Sequence, residues 1–159
     1  MQVHSQAEII VPGTPEKTFD AAVAAGMLSR ILHAWGVLPG VKSAEIEGGG
    51  PVRTGSRRRV TMSDGSIVVE EILAHDAPRE HRYRWLTKPK QPVPLVIRSA
   101  EARWTFEPSG PGTRIVWNYT FELTSSLATV PGRLFALLFE RWMGQGLKRL
   151  RAVMSGEAT

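Results

Sequence analysis

The sequence predicts an α+β fold: a curved antiparallel sheet of about seven strands wrapped round a long C-terminal helix, with two short helices after strand 1. Three observations carry this expectation. The middle of the chain is a run of strand-like segments divided by turn residues. The stretch from about Val130 to Met154 repeats Phe135, Phe139, Trp142, Gly146, Leu150 and Val153 at helical spacing. The length of 159 residues suits one domain with a sizeable core, so 1–159 is read as a single unit.

Taken in order, residues 2–11 alternate Val3, Ser5, Ala7 and Ile9 against His4, Gln6 and Glu8, the period of a half-buried strand that Pro12-Gly13 ends. Thr14 is suited to cap a helix and Pro15 to its first turn, while Lys17 stands where a capping box wants an acid. That helix covers 15–25 and stops near Gly26; a second, 27–35, ends at Trp35-Gly36. Pro39-Gly40 turns the chain into a strand over 41–47. Gly48-Gly49-Gly50-Pro51 is a loop and not a phosphate cradle, because neither a following helix nor a GK[ST] sequence accompanies it. Strands follow at 55–62, 66–75 and 80–87, divided by Ser63-Asp64-Gly65 and by Asp76-Ala77-Pro78. Prolines at 89, 92 and 94 keep a central strand out of 88–98. Two last strands, 99–107 and 113–123, flank a hairpin loop at 108–112.

Composition narrows the function classes. With 42% apolar and 22% charged residues the chain is globular and not disordered, and no apolar run approaches the roughly 20 residues of a membrane span. The N-terminus lacks the layout of a signal peptide, which points to the cytoplasm. The absence of cysteine removes disulfides, thiolate metal sites and thiol nucleophiles together. The net charge of +5 sits mostly in residues 51–100, which hold ten basic and five acidic side chains. These basic residues fit a solvated outer sheet face better than a nucleic-acid surface, since no docking motif accompanies them. The four histidines are His4, His33, His75 and His81, and no His/Asp/Glu spacing on one element fits a metal, so neither metal nor other cofactor is expected. His33 falls on the second helix as a surface residue or a satisfied core residue.

Strand parity then assigns faces. His81, Tyr83 and Trp85 point inward and Arg82 and Arg84 outward. Ala102, Trp104 and Phe106 also point inward, as do Ile115, Trp117, Tyr119 and Phe121. Such an aromatic set builds either a solid core or the wall of a pocket, where the polar tips of Trp and Tyr find partners. Arg58 shares a face with Val60 and Met62. A three-residue loop at Ser63-Asp64-Gly65 pairs it with Glu70; a two-residue Asp64-Gly65 turn pairs it with Glu71. Either way an inward arginine faces a glutamate, as a structural ion pair or as a polar anchor for a ligand.

The stretches Gly55–Gly65, Glu70–Asp76 and Tyr83-Arg84-Trp85 resemble the START-like (SRPBCC), helix-grip superfamily, which includes the birch-allergen type proteins, polyketide cyclases and lipid-transfer domains. Trp35, Phe106–Arg114 and Val116–Phe121 continue the likeness over nearly the whole chain, and it is nearest to the polyketide cyclase/dehydrase and lipid-transport-like subgroup. The resemblance implies a cavity between the sheet and the C-terminal helix that binds an apolar or amphipathic small molecule. It also implies the Arg58–Glu70 register. Residues 88–97 fall where the related plant hormone receptors carry a gate, but the glycine-rich gate and His-Arg-Leu latch of those receptors are missing.

Three functions are compatible with this reading. The first is a carrier or sensor of a hydrophobic lipid, polyketide or aromatic ligand, with Arg58, Glu70, Tyr83, Trp85, Trp104, Trp117, Tyr119, Phe139 and Trp142 as binding residues. The second is a cyclase or dehydratase, for which Glu70, Arg58, His81 and Tyr83 are the inward candidates for acid–base work. The third is a chaperone-associated interaction module. The expected partner is the small molecule, with no nucleic acid and no transmembrane segment, in a monomer or homodimer.

Overall fold

A computed structural model describes residues 1–156; the last three positions of the predicted domain, 157–159, lie outside the described residues. The alternating N-terminal segment forms β1 (Gln2–Pro12), and Thr14 caps α1 (Pro15–Val23) by accepting a hydrogen bond from the Lys17 amide. Helix α2 (Met27–Ile31) is followed by β2 (Val41–Ile46), β3 (Arg57–Met62), β4 (Ile67–Asp76) and β5 (Glu80–Trp85). A single turn, α3 (Val93–Val96), precedes β6 (Ile97–Ser109) and β7 (Gly112–Leu123). A short 3-10 turn (Ser126–Ala128) leads into α4 (Thr129–Met154). All seven strands make one antiparallel sheet in the order β1-β7-β6-β5-β4-β3-β2.

The sheet curls round α4. The Ser5 hydroxyl donates to the Ala136 carbonyl at 2.6 Å, and Glu140 accepts from the Gln6 amide at 2.8 Å, which satisfies part of the open edge of β1. Near the middle of the helix the Trp142 indole donates to the His33 carbonyl at 2.9 Å. Phe139, Trp142, Met143, Leu147 and Leu150 bury the inner face of α4 against the sheet, as the sequence stripe implies. Gly146 permits the close crossing of α2, because a Cβ there would lie 2.6 Å from Leu32 Cδ2.

The expected register of the central hairpin is realised in its three-residue form. Gly65 takes φ +86°, Asp64 Oδ1 accepts from both the amide and the hydroxyl of Ser66, and Arg58 pairs with Glu70 rather than with Glu71. Outside, the basic residues are engaged in cross-strand ion pairs: Arg84–Glu71 at 2.7 Å, Arg103–Glu80 at 2.9 Å and Arg114 with Glu8. The solvated outer face expected for them is what the sheet presents.

Several boundaries differ from expectation. Helix α2 stops at Ile31 and not at residue 35, because Leu32 turns extended and its carbonyl accepts the Val41 amide at 2.8 Å. His33 therefore lies beyond the helix, exposed. Strand β3 begins at Arg57 and not at residue 55. The expected five-residue loop at 108–112 shrinks to a turn at Gly110-Pro111, with Gly110 at φ +56° and the ladder continuing to Ser109–Gly112. The proline-rich stretch, expected to hold no central strand, holds the α3 turn instead, with Pro94 in a first-turn position that needs no amide. A bulge at Leu73 shifts the β4–β5 register between Ile72 and Ala74. That bulge turns His75 inward, opposite His81.

Gly40 seats the loop after α2 against its own neighbours: a Cβ there would lie 2.6 Å from the Ala34 amide nitrogen and 2.9 Å from the His33 carbonyl carbon. These are backbone atoms and have little room to yield. Gly40→Ala is expected to lower stability by about 1–3 kcal/mol, read as a lower denaturation midpoint at unchanged slope; a midpoint equal to wild type would mean the loop yields freely.

Candidate functional site

Between the concave face of the sheet and α4 lies a cavity of about 80 Å³. Strands supply its floor through Val60, Val68, Glu70, Tyr83, Trp117 and Tyr119. Helix α4 supplies Phe135, Phe139 and Trp142, and α2 and its C-terminal end supply Leu28 and Leu32. Short connections close the mouth with Leu38, Pro39, Pro89 and Val93. The wall is almost wholly apolar, and its rings interlock: Tyr119 meets Phe139 edge-on at 4.8 Å, Trp85 meets Tyr119 at 6.1 Å, and Phe139 meets Trp142 at 5.1 Å.

Of the sequence candidates, Glu70, Tyr83, Trp85, Trp117, Tyr119, Phe139 and Trp142 stand on this wall. Arg58, Trp104 and His81 are buried but do not line it. Trp104 stacks behind Trp117 at 4.4 Å, and Arg58 places its guanidinium carbon 4.8 Å from the Tyr83 ring centre. Sequence reasoning missed the mouth residues Leu38, Pro39, Pro89 and Val93. It named Phe135 as part of the helix stripe without giving it to the pocket.

One polar cluster crosses this apolar region. Arg58 Nε donates to Glu70 Oε1 at 2.8 Å, and Nη2 lies 2.7 Å from the same oxygen. The second approach is a charge contact without hydrogen-bond alignment, so Nη2 is left without a proper acceptor. Burial pushes the Glu70 carboxyl upward and the Arg58 charge opposes this; for Arg58, the Glu70 charge and neighbouring tyrosines outweigh the effect of burial and hold the guanidinium firmly protonated. Tyr119 donates to the Tyr83 hydroxyl at 3.2 Å. Desolvation pushes the Tyr83 phenol up to about 12 and Tyr119 well above its ordinary value, so both stay neutral. Trp117 Nε1 is buried without a partner among the described residues.

Beside this cluster, His75 Nδ1 and His81 Nδ1 face each other at 3.3 Å, which requires one ring to donate and the other to accept. Desolvation, with Arg58 and His75 adding to it, lowers His81 to about 3; desolvation also lowers His75, partly opposed by Asp20. Both imidazoles are therefore neutral at neutral pH.

The cluster can be tested through its ion pair and through its buried imidazole. Arg58→Met strands a buried carboxylate and is expected to cost about 3–5 kcal/mol in chemical denaturation, whereas Arg58→Met combined with Glu70→Leu recovers most of the loss; a double variant as unstable as the single one would refute the ion-pair account. For His81, the unfolded chain takes up a proton near its ordinary pKa of 6.5 while the folded chain resists until about 3. Its contribution to stability is therefore present above pH 6.5 and lost as pH falls toward 3, with a steepest slope of roughly 1.4 kcal/mol per pH unit. Denaturation midpoints of His81→Phe should fall less steeply over that window than those of wild type, and parallel curves would exclude His81 as the source.

The comparisons with known proteins agree with this geometry. The family model described as "Polyketide cyclase / dehydrase and lipid transport" matches residues 2–155. No curated protein matches the chain. Among solved structures, TTHA0849 from Thermus thermophilus is 22% identical with a TM-score of 0.73, over 99% of this chain and 100% of its own. Ara h 8.0201 is 21% identical with a TM-score of 0.72, over 99% and 100%. Ginseng major latex-like protein 151 from Panax ginseng is 12% identical with a TM-score of 0.69, over 99% of each chain. At these identities the likeness shows the fold, a helix-grip sheet round a C-terminal helix, while the family model covers nearly every position: the chain belongs to the polyketide cyclase / dehydrase and lipid transport family.

Proposed function

We propose that this protein binds a hydrophobic or amphipathic small molecule between its sheet and α4, as a carrier or sensor. The observation that carries the reading is an apolar, aromatic-lined cavity with a carboxylate acceptor on its wall. Both Arg58 contacts fall on Glu70 Oε1, which leaves Oε2 to accept from a ligand. A ligand hydroxyl, which can donate to that oxygen, is the chemistry that complements it. Glu70 held by Arg58, two neutral phenols and a His81 set back from the wall favour binding over acid–base turnover.

The cavity of about 80 Å³ is smaller than the ~150 Å³ that admits benzene in an engineered core. Ligand entry therefore displaces side chains, and the mouth is the part that yields. Helix α3 is one turn long and is tied to β7 through Thr124, whose hydroxyl donates to the Leu95 carbonyl at 2.8 Å and whose amide donates to the Val96 carbonyl at 2.9 Å.

Titration of tryptophan fluorescence with lauric acid, oleic acid and 2-naphthol tests the proposal. Saturable one-to-one binding of at least one probe is expected, and Val60→Phe, which fills the cavity from its floor, should abolish it. Glu70→Gln, which removes the carboxylate acceptor, should weaken 2-naphthol by roughly 5–10-fold and leave naphthalene, which lacks the hydroxyl, unaffected. Binding that survives Val60→Phe unchanged would place the ligand elsewhere.

A further inference from the structure

Helix α4 carries a second apolar stripe, on the face turned away from the sheet. Val130, Leu134 and Leu137 follow one another at spacings of four and three on a continuous helix, and Leu127 precedes them in the 3-10 turn. They are 78%, 57%, 46% and 91% exposed. Leu95 of α3, 68% exposed, joins them, since Thr124 hydrogen-bonds to the Leu95 carbonyl three residues before Leu127. Scattered exposed leucines are ordinary; five apolar side chains gathered at one end of the molecule mark an interaction surface.

The charges around the stripe identify what covers it. Helix α4 carries five basic residues and one acid, Glu140, whose carboxylate accepts the Gln6 amide of β1. Arg133 flanks the stripe, Arg141 continues its line one turn beyond Leu137, and both are exposed. On the α3 side Arg98 is exposed, with its guanidinium donating to the Thr124 carbonyl at 2.9 Å. The nearest carboxylate on that side, Glu122, is engaged by the N-terminal amine at 3.1 Å. A leucine stripe edged by arginines complements an anionic lipid surface, with leucines entering the acyl boundary and guanidinium groups meeting headgroup phosphates. A symmetric contact with a second copy would instead bring like charges together.

We infer that the outer face of α4 with α3 is a docking surface for an anionic phospholipid bilayer. Val93 and Phe135, both at the cavity wall, lie close in the chain to Leu95 and Leu134, so docked lipid would rest on the outer side of the two elements that wall the cavity from within. The docking surface itself does not depend on the cavity being occupied.

Co-sedimentation with vesicles of phosphatidylcholine containing about 30% phosphatidylserine tests this, with pure phosphatidylcholine vesicles as comparison. Binding to the anionic vesicles that weakens with added salt is expected, and Leu134→Glu should reduce it by roughly tenfold or more at an unchanged melting temperature. Ile10→Glu, an exposed position on β1 outside the stripe, should bind as wild type does. Val60→Phe separates this inference from the binding proposal, because it should lose the small-molecule probes yet still sediment with vesicles. Equal binding by wild type and Leu134→Glu, or no binding to anionic vesicles by wild type, would overturn the inference. So would a lipid-free dimer, seen by sedimentation velocity, that Leu134→Glu abolishes.

Discussion

A charged hairpin pair inside an apolar shell constrains the rest of this molecule. Arg58 and Glu70 are directly opposed on β3 and β4, and both point at the interior. Neither charge is tolerable there alone, so the hairpin register, the turn that sets it and the identity of both side chains stand or fall together. Their neighbours are arranged around that demand. Tyr83 offers its ring to the guanidinium, Tyr119 bonds to Tyr83, and the imidazoles of His75 and His81 remain neutral where a further cation would be repelled. The polar end of the cavity follows from the same pair, because one carboxylate oxygen is consumed by Arg58 and the other is left at the wall.

Strand parity made much of this legible from the residues alone. A period of two states which face each residue occupies, and Arg58, Glu70, Tyr83, Trp104, Trp117 and Tyr119 all lie on the inner face it assigns. Depth within that face is a different quantity. Trp104 and Trp117 share parity and strand pairing, yet one stacks behind the other and only the second reaches the cavity. Parity is also blind to bulges: the extra residue at Leu73 reverses the face of the residues after it and brings His75 to His81. The mouth was illegible for another reason. Leu38, Pro39, Pro89 and Val93 sit in segments without periodicity, where position is set by what they close against and not by local pattern.

The outer face of α4 was hidden by the success of the inner one. A single stripe of Phe135, Phe139, Trp142 and Gly146 accounts for the helix as a core element, and Val130, Leu134 and Leu137 then look like helix-forming filler. Only burial separates the two sets: Phe139 and Trp142 are almost fully enclosed, whereas Val130 and Leu134 are open to solvent. The apolar exterior is confined to the first half of the helix. The second half turns outward Arg141, Lys148 and Arg151, so the amphipathic character changes along the axis as well as around it.

These features combine at one end of the fold. The sheet side of the cavity is rigid, since each central strand is hydrogen-bonded on both sides and the inner rings interlock. The mouth side is a one-turn helix and a proline-rich connection, beside the more firmly seated loop after α2. A cavity of about 80 Å³ between a hard wall and a soft one grows by moving the soft wall, whatever enters it. The soft wall is also where the exposed leucines and arginines gather. Leu95 and Leu134 face outward from the same two elements whose Val93 and Phe135 face the cavity. The outer and inner surfaces thus share α3 and the start of α4, while the Arg58–Glu70 end of the cavity stays fixed by its own electrostatics.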